Sequence, residues 1–298
     1  MDERGFLTER FEENRPRLRG LAYRMLGSLA EADDALQEAW LRLDRIESGR
    51  VTNLGGWLTT VVSHVCLDML RSRKSRREEP LGAPDREPSA ARGEGADPER
   101  DAQLADSVGI ALLVVLETLA PAERLAFVLH DLFAMSFEEI APIVGRTPQA
   151  ARQLASRARR RVRGAPATTD ARRERQREVV AAFLAAARAG DLQALLAVLD
   201  PDAVIRIDAA ARIDAPPEEV GRAREVRGAA AWARQLIALS RGMHSVQPVL
   251  IDGSVGLIVA PGGRLTRALA FTVANDKVTR VEVIGDPARL RELEIAVI

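Results

Sequence analysis

The chain has 298 residues, 43 Lys and Arg against 43 Asp and Glu, and 47% apolar residues; at roughly 100 to 200 residues per domain it should hold two or three domains and is not wholly disordered. No apolar run reaches the roughly 18 residues a membrane-spanning helix needs, and the opening MDERGFLTERFEENRPRLRG is too charged for a signal peptide, so a cytoplasmic protein without membrane contact is expected. Cys66 is the single cysteine, which excludes an internal disulfide and a multi-cysteine zinc site; no metal or cofactor is expected.

The zero net charge hides segregation. Every charge from Arg152 to Arg163 is basic and every charge from Glu31 to Glu38 is acidic. Between Leu18 and Leu43, apolar residues recur at helical spacing on both sides of a Gly27-Ser28 break, which predicts a helical hairpin. A glycine-rich stretch, Asn53 to Gly56, precedes a predicted helix from about Trp57 to Arg73 that ends in RSRKSRR. Residues 78 to 101, with four prolines and no aromatic residue, have the composition of a linker.

Helices are predicted to resume at about Ala102 to Leu119, with Pro121 opening the next one as a first-turn proline. Ser136 and Glu139 then form a capping box for a helix that turns Ile140, Ile143 and Val144 inward. Gly145 and Arg146 turn the chain, Thr147 and Pro148 start a second helix reaching about Val162, and the pair makes a helix-turn-helix candidate. In such a unit the second helix enters the major groove by its N-terminal end, here Arg146, Thr147, Gln149, Arg152 and Gln153. Gln and Arg can pair bidentately with adenine and guanine edges, while Arg157, Arg159, Arg160, Arg161 and Arg163 can neutralise phosphates.

Beyond GAPATTD (164 to 170) come a helix from Arg172 to Ala189 closed by Gly190, another begun by Asp191, and then short strands, VIRI, PVLI, VGLIV, LTRALAFTV and VTRVEVI, separated by hairpin signals and one helix at about Ala229 to Ser240. This third reads as an independent α+β domain.

The order of segments resembles a family. PAERLAFVLHDLFAMSFEEIAPIVGRTPQAARQLASRARRRVR is similar to region 4 of extracytoplasmic-function sigma factors of the sigma-70 class, and RLRGLAYRMLGSLAEADDALQEAWLRL with GGWLTTVVSHVCLDMLRSRKSRR is similar to their region 2. Residues 172 to 298 resemble the SnoaL-like domain, a cone of helices wrapped by a sheet, found at the C-terminus of one sigma-factor subgroup. The resemblance implies a multidomain protein with two all-α domains followed by an α+β cone. Region 2 would occupy 1–77, the linker 78–101, region 4 102–165 and the cone 170–298.

It also implies roles. The helix from Ala32 to Leu43 would dock on the clamp helices of core RNA polymerase through Asp33, Asp34, Gln37, Glu38 and Leu41, and the helix from Ala122 to Ala134 would meet the polymerase flap. The Asn53 to Gly56 loop would capture an extruded base of promoter DNA, with Asn53, His64, Arg71, Arg73 and Lys74 on the strand-opening surface. Region 4 would read the upstream promoter element through Arg152, Gln153, Ser156 and Arg157, with Arg160 on the backbone.

In the cone domain the subgroup's Asp-Gly-Gly-Gly stretch is here Asp208 followed by three alanines, and its Asn-Pro-Asp-Lys-Leu tail is Asp286, Pro287, Ala288, Arg289, Leu290. These are the expected regulatory-domain contacts, Asp208, Asp286, Pro287, Arg289 and Leu290. The cone could also hold a small ligand. A catalytic pairing of Asp208 with His244 has the simpler alternative of a packed, non-catalytic histidine, so no enzyme is expected. The competing reading of the whole chain is a one-component DNA-binding regulator that senses a ligand in the cone.

Overall fold

The computed structural model describes residues 3–45, 53–78, 109–164, 170–211, 223–238 and 245–298. The linker at 79–101 and His244 lie outside them. The chain divides into two compact units: Met1–Val108 with Leu119–Arg159, and Gly109–Thr118 with Arg160–Ile298.

In the first unit, α1 (Glu3–Leu26) and α2 (Leu29–Leu43) form the expected hairpin, with Ser28 capping α2. Ala32, Ala35, Leu36, Ala39 and Leu43 are buried, one stripe at helical spacing. Helix α3 spans Leu54–Glu78 and packs on α1 and α2 through Leu58, Val62, Val65, Cys66 and Leu67. It begins three residues before the predicted start. Asn53 Oδ1 accepts from Gly56 N at 3.0 Å, so Asn53 is an N-cap and Leu54 to Gly56 are already helical. The expected base-capture loop at Asn53 to Gly56 is therefore corrected: burial of the helix behind it outweighs the helix penalty of two glycines.

Helix α5 (Pro121–Phe127) continues into a π-helical turn, Val128–Leu132, and then come α6 (Phe137–Val144) and α7 (Pro148–Arg163). The π turn gives way to α6 at Ser136, whose capping box is complete. Gly145 has φ 66°, and the N–H groups of Gly145 and Arg146 donate to Pro142 O and Ala141 O, so the turn is a left-handed helix stop that only glycine enters freely.

Helices α5 and α6 pack on α3. Arg124 of α5 is 5% exposed and its Nη1 donates to Met25 O at 2.7 Å. Met25 lies in the last turn of α1, whose carbonyls lack partners within the helix, so a guanidinium there satisfies an orphan acceptor and opposes the negative end of the helix dipole. Phe133 lies under the guanidinium groups of Arg17 and Arg24, 5.7 and 5.8 Å from the ring centroid. Burial holds the Arg24 pKa below its ordinary value.

The second unit is a seven-stranded mixed sheet in the order β2-β1-β6-β5-β4-β3-β7. Its strands are β1 (Leu199–Ile207), β2 (Arg224–Arg227), β3 (Val246–Ile251), β4 (Ser254–Val259), β5 (Arg267–Ala274), β6 (Lys277–Ile284) and β7 (Ile295–Val297). β1 and β6 run parallel and every other pair is antiparallel. Helices α8 (Asp170–Ala189), α9 (Leu192–Val198) and α10 (Ala229–Ala238) pack on the sheet, and α11 (Pro287–Glu292) leads into β7. This is the α+β architecture expected. Strands β2 and β7 were not anticipated: REVR carries charges at three of four positions and β7 has only three residues, so neither shows a strand pattern.

Helix α4 (Ile110–Thr118) belongs to this second unit, where it packs on β3, β7 and the 3-10 turn Pro261–Gly263. Replacement of Arg124 by Ala should lower the stability of the first unit by about 2 kcal/mol, because it removes a charged hydrogen bond from a buried acceptor. Chemical denaturation followed by hydrogen exchange in α1 and α5 reads this out; an unchanged α1 would contradict it.

Candidate polymerase and promoter interface

On α2, Asp34, Gln37, Glu38 and Leu41 are exposed, Leu41 by 45%. Asp33 is committed elsewhere: Arg19 Nε and Nη2 donate to its two oxygens at 2.8 and 3.0 Å. Glu38 pairs with Arg42 one turn on. Trp40 packs its indole edge to face with Phe11, 5.1 Å between centroids, and so serves the core.

Around α3, Asn53 and Arg71 are exposed and His64 is half-buried. Arg71 lies 3.8 Å from Asp68, an exposed pair. Arg73 Nη1 donates to Leu26 O and its guanidinium pairs with Glu31, tying α3 to the start of α2. Lys74 lies on α3, but its side chain is outside the described ones. Burial pushes the Cys66 thiol up to about 12.

Helix α7 has two faces. Ala151, Ala155, Ala158 and Val162 are buried, small residues that let the helix lie close to its neighbours. Gln149, Arg152, Gln153, Ser156, Arg157 and Arg160 are exposed, with Arg146 and Thr147 exposed at the preceding turn. Thr147 Oγ1 accepts from Ala150 N at 3.2 Å and so serves as the N-cap. The Arg152 guanidinium stacks 5.3 Å over the Phe137 ring, which fixes its direction without using its donors.

Sequence reasoning missed the struts beneath this face. Arg157 Nε donates to Glu123 Oε1 at 2.7 Å. Arg159 makes two parallel bonds to Asp131, at 2.7 and 3.0 Å, which raise its pKa. Both pairs bridge about thirty residues of chain, a separation that leaves no periodic trace in the sequence. His130, whose Nδ1–H donates to Met135 O at 2.9 Å and whose ring stacks on Phe137, packs inside the same module.

In the second unit the five residues expected to form regulatory contacts meet in one knot. Asp208 Oδ2 accepts from Gly285 N and Asp286 N at 2.8 and 2.9 Å, and its Oδ1 accepts from Ala211 N at 2.7 Å. Asp286 caps α11 by accepting from Ala288 N and Arg289 N, Pro287 takes the first helical position and Leu290 is buried. Arg289 donates to Glu282 Oε1 at 2.6 Å. A Cβ at Gly285 would sit 2.6 Å from Ala211 N and Cα, so the chain here requires glycine.

Among the described residues, aromatic rings pack together in the cone's apolar core. Phe183 stacks on Trp232 and meets Phe271 edge to face, both at 5.2 Å, among Leu257, Leu269 and Val281. A cavity of about 480 Å³ lies instead between the start of α8 and the β5–β6 turn, with Arg172, Arg173, Gln176, Thr272 and Asp276 on its walls. Among the described residues no cluster of ligating side chains could hold a metal ion, and no helix is long and apolar enough to cross a membrane.

Known proteins share this organisation. Sigma-70 region 2 matches residues 10–76 and Sigma-70, region 4 matches residues 110–162. The chain is 38% identical over 290 residues to the ECF RNA polymerase sigma factor SigJ of Mycobacterium tuberculosis, covering 93% of this chain and 91% of that protein. The chain belongs to the ECF RNA polymerase sigma factors. It is also 34% identical over 273 residues to the probable ECF RNA polymerase sigma factor SigI of the same organism, covering 92% and 91%. The crystal structure of M. tuberculosis SigJ aligns at 35% identity over 95% of this sigma factor and 98% of that chain, with a TM-score of 0.45.

Sigma factors bind core RNA polymerase and promoter DNA, and this sigma factor holds α2 and α3 in region 2 and the helix-turn-helix α6–α7 in region 4. Asn in place of Asp208 has one oxygen where the carboxylate offers two to three N–H donors, so Asp208→Asn should lower the stability of the second unit by about 2 kcal/mol. Its thermal melting reads this out, and an unshifted midpoint would contradict it. Buried and held protonated, Cys66 should resist a thiol reagent at pH 8 in the native protein and react once urea unfolds region 2.

Proposed function

We infer that this sigma factor directs core polymerase to a two-part promoter, with the exposed face of α2 meeting polymerase and the exposed face of α7 reading the upstream promoter element. The observation that carries this reading is the α7 surface: Gln149, Arg152, Gln153, Ser156 and Arg160 all stand in solvent on a helix without an acidic residue. Glutamine and arginine supply base-edge pairs, and Arg160 supplies phosphate neutralisation. Arg157 serves mainly to brace the helix through Glu123.

For polymerase, the reading assigns Asp34, Gln37, Glu38 and Leu41. Asp33 is a brace to Arg19, a role that its two hydrogen bonds favour over a partner contact. On α3, exposed Arg71 remains for the strand-opening surface, with Asn53 at its edge. The C-terminal domain acts on the sigma regions through protein contact and performs no reaction of its own. Two features support that: Phe183, Trp232 and Phe271 pack against one another in its core, and the Asp208 carboxylate is occupied by three backbone donors.

Run-off transcription with purified core polymerase tests the assignment. Arg152→Ala and Gln153→Ala should each lower promoter-specific transcript about fivefold or more, matching roughly 1–3 kcal/mol per lost base contact. Arg160→Ala should weaken binding uniformly across promoters and reduce the slope of log affinity against log salt by about one. Leu41→Glu should weaken core binding while leaving the melting curve in place. Wild-type output from Arg152→Ala and Gln153→Ala together would overturn the α7 assignment.

A further inference from the structure

Region 4 as matched by sequence begins at residue 110, yet its first helix, α4, is held by the C-terminal domain. The helix IALLVVLET is apolar on nearly every side, and Ile110, Leu113, Val114, Val115 and Leu116 are buried. A helix of that kind cannot stand in water without a partner. Its neighbours are β3, β7 and the turn at Pro261–Gly263, where a Cβ at Gly263 would lie 3.1 Å from Leu113 Cδ1.

The sheet edge is built to receive it. On β3 and β7, Leu250 and Ala296 point into the domain's main core. Val249, Ile251 and Ile295 have the opposite parity, so they point to the other face, and they too are buried while lying outside that core. Helix α4 is the element packed there. The inner face also meets the chain just after region 4: a Cβ at Gly164, the residue after α7, would sit 2.9 Å from Ala296 Cβ. Thus β7 has one boundary of region 4 on each of its faces.

The strand itself is lightly held. It pairs with β3 through three residues at the sheet edge, Val249 with Val297, Leu250 with Ala296 and Ile251 with Ile295. Asp252 closes the entry, its N–H donating to Glu294 O and its Oδ1 accepting from Glu294 N, both at 2.9 Å. We propose that the β3–β7 edge is the docking surface for α4 and that β7 is a clasp whose release frees the first helix of region 4, thereby changing transcriptional output. The regulatory half rests on the reading that the C-terminal domain modulates this sigma factor. The docking half does not.

Hydrogen exchange on the full chain tests the docking. A variant ending at Leu293 should lose at least tenfold protection at amides 110–118 while β1 and β6 keep theirs. Conversely, Leu113→Asp, which leaves every strand intact, should raise exchange at 295–297 by a similar factor, since docking is reciprocal. Unchanged α4 protection in the first variant, or unchanged β7 protection in the second, overturns the docking. Run-off transcription with the same two variants tests the clasp: a change of threefold or more in the same direction for both supports it. Loss of protection with wild-type output would leave the docking standing and overturn the regulatory half. Failure of the unmodified chain to support any transcription would remove the sigma-factor reading and leave the exchange result interpretable.

Discussion

A single buried guanidinium sets the geometry of the sigma regions. Arg124 reaches from α5 to the last turn of α1, and both ends of that contact are buried. A charge is costly to take out of water and stays buried only where strong acceptors meet it. The free carbonyls at a helix end are such acceptors, so the place where α5 can settle is fixed to within a hydrogen bond. Phe133 beneath Arg17 and Arg24 fixes the orientation at the other end of the π turn. From there the position of α7 follows, because Glu123 and Asp131, at the two ends of this segment, each hold an arginine of α7. The polar face of α7 is therefore held by region 4's own ion pairs through Arg157 and Arg159, while Gln149, Arg152, Gln153 and Ser156 stay exposed beside them.

What was legible in the sequence is what local rules write. Ser136 and Glu139 three residues apart, a glycine where φ must be positive, and Thr147-Pro148 at the next start specify α6 and α7 with little help from the rest of the chain. The buried stripe of α2 and the hairpins of β3 to β6 were equally plain, since their periodicity is unbroken. Asn53 was misread because Leu-Gly-Gly looks like a loop; only the packing of Leu58 and Val62 makes it worth starting a helix there. Strand β2 has one buried residue, Val226, and exists because β1 offers an open edge. Arg157 and Arg159 read as DNA-backbone contacts, and nothing within ten residues of them or of Arg124 reveals their partners.

The division of the chain in space differs from its division in sequence. Region 4 is continuous by similarity, yet α4 and the last turn of α7 group with the C-terminal domain while the helices between them group with region 2. Two closures in that domain make this arrangement possible. The Asp208 knot joins the end of β1 to the segment after β6, and the α11 turn it organises delivers the chain to β7. Three aromatic rings pack in the domain's core, and α4 packs on β3 and β7.

The central claim is that this chain gives core polymerase its choice of promoter. The most direct measurement is selection from a randomised DNA library by holoenzyme reconstituted from purified core and the full-length chain, followed by sequencing of the templates that yield transcripts. The account predicts recovered templates sharing two sequence blocks at a fixed separation, upstream for α7 and downstream for region 2. Recovery of random templates, or of the same templates by core polymerase alone, would contradict it.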